Sequence, residues 1–302
     1  MNVFVAGGSG IIGLPLVRAL RADGYAVTVL TRYRSKEQEL RALGAEVAVA
    51  DALDRDALMA VVGRARPTHV VHQLTALPRT GPRRAADLDP TNRLRIEGTR
   101  NLLDATIRAG ARRLVVGSFA PLASSGSCDA GMLKPAAAAV HSMERQVLDA
   151  TKNGRIEGVI LRYGMFYGHE NPSTIAMLEM IRKRRLPVVR GDTGGLPWIH
   201  VDDAVSATVQ ALRLAPAGDT YDIVDDCLVS FTEMVEAMAE CTGSAAPLRI
   251  PAWMLRLGAP YVALMMLRRV EVSNAHARAA LAWRPKYATT RERLVHMFHD
   301  AA

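Results

Sequence analysis

Gly7, Gly10 and Gly13 stand at three-residue spacing between a short apolar run, residues 3–6, and Leu14, Leu16, Val17 and Leu20, which recur at roughly helical spacing. The chemistry this unit suits is phosphate binding. Gly7 permits a tight turn, Gly10 removes the side chain where a pyrophosphate must approach the backbone, and Gly13 lets helix and strand pack closely. The helix N-terminus then offers free N–H groups and a partial positive charge. The spacing, Gly-x-x-Gly-x-x-Gly, differs from the Gly-x-Gly-x-x-Gly of the simplest dinucleotide turn. A second charged position bears on which nucleotide is held. The next apolar run ends Leu30, Thr31, Arg32, Tyr33, Arg34. An acidic residue there would bond ribose hydroxyls and favour NAD, whereas Arg32 suits a 2′-phosphate and NADP(H). The plain alternative is a solvated arginine. Asp51, at the end of a third run, is placed to accept from an adenine amino group or simply to cap its loop.

These residues need a frame, and the patterning supplies one. Strands are expected at residues 26–30, 46–50, 68–72, 113–117, 157–161 and 220–224, and helices at 36–43, 54–62, 94–108 and 136–151. Gly44 and Gly110 are helix stops, and Asp54 is an N-cap. Strand and helix alternate, which implies a parallel sheet covered on both faces, with ligands beyond the carboxyl ends of the strands. Residues 252–267, broken by Arg256 and Pro260, read as a buried or pocket-lining helix pair, with a membrane-surface helix as the alternative.

At 302 residues, 49% hydrophobic and 23% charged, the chain can build a large core and is not a disordered polypeptide. The net charge of +8 raises the question of nucleic acid. The basic clusters are short, at Arg32 and Arg34, at Arg79, Arg83 and Arg84, and at residues 182–185, and acidic residues separate them. That pattern argues for solvated surface, so no nucleic-acid partner is expected. Five of the 38 basic residues are lysines, which points to a bias toward arginine and not to a binding adaptation. Cys128, Cys227 and Cys241 have no paired spacing, so neither a zinc nor a disulfide framework is expected. With no leader before the first strand and no run long enough to span a membrane, the expectation is a cytoplasmic protein with no membrane partner.

Seven ordered stretches give a more specific reading: 7–13, Asp51-Ala52-Leu53-Asp54, Val70-Val71-His72, 97–103, Leu161-Arg162-Tyr163-Gly164 with Tyr167-Gly168, 198–204, and Trp283-Arg284-Pro285-Lys286. On these the chain resembles the extended short-chain dehydrogenase/reductases of the NAD-dependent epimerase/dehydratase type, over essentially its whole length. The resemblance implies an α/β fold, a Rossmann-like doubly wound parallel sheet with a smaller C-terminal substrate-binding lobe. Residues 1–167 would form the dinucleotide-binding part, rejoined by 198–225; residues 168–197 and 226–302 would form the lobe. It further implies a nicotinamide cofactor along Gly7, Ser9, Gly10, Ile11, Ile12, Arg32, Asp51, Ala52, Gln73, Leu74, Thr75 and Tyr163, and a homodimer through two long helices. His200, Asp202 and Asp203 resemble a motif tying the sheet to the lobe, and no metal is expected there.

The catalytic part of the resemblance departs from the family. Its members carry Tyr-x-x-x-Lys on the long helix after the fifth strand, and a serine or threonine at the end of that strand. The tyrosine exchanges the hydroxyl proton, the lysine lowers its pKa, and the hydroxyl fixes a carbonyl. Aligning Glu144 with the family's glutamate puts Ala136 and Val140 at these positions, and no tyrosine lies between Tyr33 and Tyr163. Ser118 is the best-placed hydroxyl, and His141, one residue beyond Val140, is the second candidate catalytic group. His72, Ser124, Ser125 and Tyr167 are further proton donors to weigh, each with a packing role as its alternative. Arg95 replaces an asparagine; with Arg79, Arg83 and Arg84 it would border an anionic or carrier-bound substrate, or else lie on a solvated loop. Met165, where sugar-nucleotide enzymes tend to have asparagine, argues against a nucleotide sugar.

Three functions follow in order. The first is an atypical NADP(H)-dependent oxidoreductase acting on a small hydrophobic carbonyl or enone. The second is a non-redox cyclase, isomerase or lyase using the same apolar pocket. The third is a nucleotide-sensing binding module.

Overall fold

β1 (Asn2–Ala6) sends Val3 and Val5 to one face and Phe4 and Ala6 to the other, and all four are buried. A strand apolar on both faces must lie inside a sheet covered on both sides. A computed structural model, which describes residues 1–78, 81–124, 131–191, 194–286 and 290–299, shows that sheet. After β1 come α1 (Gly13–Ala22), β2 (Ala26–Thr31), α2 (Glu37–Ala42), β3 (Glu46–Val49), α3 (Arg55–Ala65) and β4 (His69–His72). There follow α4 (Asp89–Arg93), a π-helical turn (Leu94–Gly98), α5 (Thr99–Arg108), β5 (Arg113–Phe119), α6 (Ala120–Ala123), α7 (Lys134–Lys152) and β6 (Glu157–Tyr163). The rest is β7 (Met165–Tyr167), α8 (Pro172–Arg182), β8 (Val188–Val189), β9 (Trp198–His200), α9 (Val201–Leu214), β10 (Thr220–Ile223), α10 (Phe231–Cys241), β11 (Arg249–Ile250), α11 (Ala252–Gly258), α12 (Pro260–Met266), α13 (Ala275–Ala280) and α14 (Thr290–His299).

The main sheet is parallel throughout, in the order β10-β6-β5-β4-β1-β2-β3. The order reverses between β1 and β4, and a crevice at such a switch point is where this architecture binds ligands. One core joins Val3, Val5 and Val29 to Leu16 and Leu20 of α1 and to Ala204 and Ala207 of α9. The other joins Phe4, Val70 and Val116 to Leu58 of α3, Leu102 of α5 and Met143 of α7. The C-terminal lobe has its own core, in which Trp198, Met234, Val235 and Met238 meet Leu294.

Three departures from the sequence expectations bear on the site. The helix expected at residues 94–108 begins earlier, at Asp89-Pro90, because proline suits the first helical turn; a π-turn interrupts it. β5 and β6 each run two residues further than expected, pairing Ser118 with Arg162 and Phe119 with Tyr163. The 252–267 pair is split in character. α12 buries Tyr261, Ala263 and Met265, but α11 buries nothing and leaves Trp253 59% and Leu257 77% exposed. No helix among the described residues is long and apolar enough to cross a membrane.

Candidate active site

The glycine turn has the geometry its spacing suggests. Gly7 has φ +92°, and a Cβ there would lie 2.5 Å from the Gln73 carbonyl oxygen, so the turn presses directly on the chain leaving β4. At Gly13 a Cβ would overlap the Gly7 carbonyl and come within 2.6 Å of Gly8 Cα, so that glycine closes helix onto turn. Gly10 differs: its Cβ would meet only the Gly7 carbonyl, at 3.2 Å, and the residue is exposed. Two glycines therefore serve packing, and the middle one leaves an open cradle beside the start of α1. This donor set fits a dinucleotide's pyrophosphate.

Around the cradle, Arg32 is exposed beyond β2 with its guanidinium carbon 4.7 Å from the Tyr33 ring centroid, a stacked cation at the rim. Asp51 Oδ1 accepts from Leu53 N–H at 2.9 Å, the loop-capping role, while Ala52 is buried with its carbonyl accepting from Asn101 Nδ2 at 3.0 Å. Gln73 is buried, donating from Nε2 to the Tyr163 hydroxyl at 3.0 Å; that hydroxyl lies 2.7 Å from Thr208 Oγ1. Burial pushes the Tyr163 phenol up to about 12. Its ring thus props Gln73 from inside the core. Leu74 is half-buried and Thr75 exposed, at the mouth of the crevice. Ser9 is half-buried, Ile11 exposed and Ile12 buried. His72 Nδ1 accepts from Leu74 N–H, so the Nε2–H tautomer faces Thr99 Oγ1 at 2.9 Å. Burial first, then the nearby Arg95 charge, lowers His72 to about 4.

At the carboxyl ends of β5 and β6 a charged network is buried. Ser118 and Arg162 are neighbours across the ladder, and Glu144 of α7 reaches both. Ser118 Oγ donates to Glu144 Oε1 at 2.6 Å, and Arg162 grips both carboxylate oxygens, at 2.9 and 2.6 Å. The hydrogen bonds it donates to Glu144 raise the Arg162 pKa above its ordinary value. Beside this network Ala136 and Val140, the residues expected at the family's tyrosine and lysine positions, are fully buried in an apolar cluster with Leu88, Leu122, Leu133, Tyr261 and Met265. His141 Nε2–H donates to the Ala123 carbonyl at 3.2 Å.

The profile of the NAD-dependent epimerase/dehydratase family matches residues 3–224. The chain belongs to that family. Among its relatives, the 3-diazoavenalumate denitrifying reductase of a Streptomyces species is 36% identical over 314 residues, 97% of this chain and 99% of the relative. The ceramide reductase of Caulobacter vibrioides is 28% identical over 82% of this chain and 73% of its own length. The fold is shared with the NAD complex of Thermus thermophilus UDP-glucose 4-epimerase, at TM-score 0.77 and 24% identity over the full length of both chains. A nicotinamide nucleotide is the cofactor type of this family, whose relatives here are reductases and epimerases.

Asp203 ties the main sheet's helices to the C-terminal residues, its Oδ1 accepting from Lys286 N–H at 3.1 Å and its carbonyl from Trp283 Nε1 at 3.1 Å. His200 accepts from Asp202 N–H at the start of α9, and no metal-binding cluster occurs among the described residues. Tyr167 donates to Asp225 at 2.8 Å, and Ser124 Oγ donates to the Ala120 carbonyl. Ser125, Arg79 and Cys128 lie outside the described residues. Arg83 and Arg84 are both exposed on their loop, but Arg95 is buried at 8% exposure, against the solvated reading that an arginine-rich composition invites. Sequence reasoning missed Tyr261, whose ring packs into the Ala136–Val140 cluster from the far end of the chain. A polar-tipped aromatic within an otherwise aliphatic helix was its signal.

Proposed function

We propose that the chain is an atypical NADP(H)-dependent reductase that acts on a hydrophobic acceptor without the family's tyrosine–lysine pair. The observation that carries this reading is the buried apolar face of Ala136 and Val140 beside a Ser118 hydroxyl whose proton is committed to Glu144. A serine in that state accepts hydrogen bonds; it cannot donate one to a substrate oxyanion. His141 is likewise committed, its Nε2–H directed at the Ala123 carbonyl. Ser118 and His141 are therefore proposed as positioning groups on the walls of the site. Gly7, Ser9, Gly10, Ile11 and Ile12 would hold the pyrophosphate, Asp51 and Ala52 the adenine side, Gln73, Leu74, Thr75 and Tyr163 the nicotinamide side, and Arg32 a 2′-phosphate.

When bound, the nicotinamide supplies a hydride, and an acceptor suits this site best if taking up hydride leaves no oxyanion to protonate. A diazonium group meets that condition, because it becomes a C–H bond and releases N2. The name of the 36%-identical relative, a diazo-compound denitrifying reductase, supports that class. A hydrophobic ketone or enone is the alternative acceptor, protonated by water. The test measures NADPH consumption above the uncatalysed rate with ketones, enones and benzenediazonium salts. Turnover with the diazonium and slow or no turnover with ketones is expected. Tight NADPH binding with no acceleration for any acceptor overturns the reading.

A further inference from the structure

Arg95 makes a poor structural residue. Its guanidinium is buried, and Nη1 has no hydrogen-bond partner among the described residues. One helical turn earlier Asn92 is buried too, with Oδ1 also lacking a partner, so two unused polar groups lie on one side of the same helical run. A buried charge without hydrogen bonds costs more than almost any other defect a fold retains. The defect also sits in a π-turn, an irregularity that recurs at functional sites.

Its neighbours lie at the carboxyl ends of the central strands. The π-turn packs against α7, with Gln146 Nε2 donating to the Ile96 carbonyl at 3.2 Å. Arg95 lies within electrostatic reach of three groups: His72 at the end of β4, Glu144 of the β5–β6 network, and Tyr261 of α12. Glu144 offers it Coulombic but no hydrogen-bonding compensation, since both carboxylate oxygens are held by Arg162 and Ser118. Burial lowers the guanidinium pKa to about 10, with Tyr261 and Glu144 acting in the opposite direction; it is still charged at neutral pH.

We propose that Arg95, with Asn92 beside it, is the receptor for a carboxylate on the substrate. An organic carboxylate supplies the missing countercharge and accepts from Nη1. The Asn92 amide, turned so that its NH2 faces the anion, adds a second donor. The acceptor class of the reductase is thereby narrowed to hydrophobic acids, and the idea rests on the proposed function only in calling the ligand a substrate.

The experiment titrates benzoate and benzamide, isosteric and differing in charge, into the full chain saturated with NADPH, using calorimetry. Benzoate is expected to bind about tenfold or more tightly than benzamide. Arg95→Met should abolish that preference, leave NADPH affinity unchanged and hold or raise the melting temperature, because an uncompensated buried charge is gone. A merely structural arginine predicts the reverse, a lower melting temperature with no change in benzoate affinity, and that result overturns the proposal. So does native protein that binds the two probes alike. Should Arg95→Met fail to fold, Asn92→Leu is read instead: a reduced benzoate preference supports the site, and an unchanged one overturns it. Failure of NADPH to bind would sink the reductase reading alone, since the benzoate preference can still be read on the free protein.

Discussion

Adding one methyl group at Gly10 and at Gly13 separates packing from cofactor binding within a single turn. At Gly13 the new carbon would overlap the Gly7 carbonyl and lie 2.6 Å from Gly8 Cα, so α1 must move away from the turn. Both neighbours are backbone and cannot rotate aside. Overpacking of this kind costs about 1–3 kcal/mol. With an unfolding entropy of about 2.1 cal/mol/K per residue, a chain of this length loses about 2–5 °C in melting temperature. At Gly10 the methyl meets one oxygen at 3.2 Å, a shift of a few tenths of an ångström, and the alanine also reduces the freedom of the unfolded chain. The two effects nearly cancel, so Gly10→Ala should melt within about 1–2 °C of the native protein. Its methyl nevertheless occupies the space a pyrophosphate needs against the backbone. NADPH affinity, followed by fluorescence titration, should fall about tenfold or more through lost charge-assisted hydrogen bonds. If Gly10→Ala binds NADPH as the native protein does, the cradle is misassigned. If it melts as low as Gly13→Ala, the division of labour among the glycines is wrong.

Arg32→Asp should reduce or reverse the preference for NADPH over NADH in parallel titrations, with the melting temperature unchanged because the side chain is exposed; an unaltered ratio would remove Arg32 from the cofactor site. Glu144→Gln weakens the Arg162 fork and leaves that half-buried cation undercompensated, at a cost of about 3–5 kcal/mol. Calorimetry should register this as a drop of about 5–8 °C. A smaller loss than about 1 kcal/mol would mean that the network is solvated in practice. His72, at about 4 when folded against about 6.5 unfolded, binds fewer protons in the native state. Its contribution is complete above the unfolded value and is lost as pH falls toward the folded one. Urea denaturation should therefore show stability falling by up to about 1.4 kcal/mol per pH unit between roughly pH 6.5 and 4, and that component should vanish in His72→Gln.

The turn, strand ends and loop assigned to the cofactor were legible because they are built from local sequence. A glycine turn, a strand end and a capped loop each lie within a few residues, and the alternation of strands with helices fixes their common edge. The substrate side was not, because it is made by register and by contacts distant in sequence. Ser118 looked like the best available hydroxyl until β5 and β6 were seen to pair it with Arg162, under a glutamate from α7. Arg95 sat in a periodic stretch where nothing marks a π-turn, and composition argued for solvent. The apolar 252–267 segment was expected to be buried or to line a pocket, and Leu255, Val262, Met266 and Leu267 do line one, yet hydrophobicity does not say which face turns in: Tyr261 goes inward, while Trp253 and Leu257 remain outside.

Two features of the site constrain one another. An enzyme that reduces a carbonyl must place a proton donor where negative charge develops, and the proposed reading puts the family's donor position on the helix that here presents Ala136 and Val140. Replacing that donor with buried hydrocarbon removes the proton, and it also lowers the local dielectric around any charge left nearby. Arg95 lies within electrostatic reach of Tyr261 in that cluster. In such surroundings a cation with spare donors binds an anion far more strongly than it would at the surface, so removal of the acid and retention of the buried arginine act in one direction. On the reading proposed above, the site would hold an anionic substrate by charge and favour chemistry that asks no proton of the protein. A ketone substrate would use the first property and be hindered by the absence of the second group, whereas an acid bearing a group that leaves on reduction would use both.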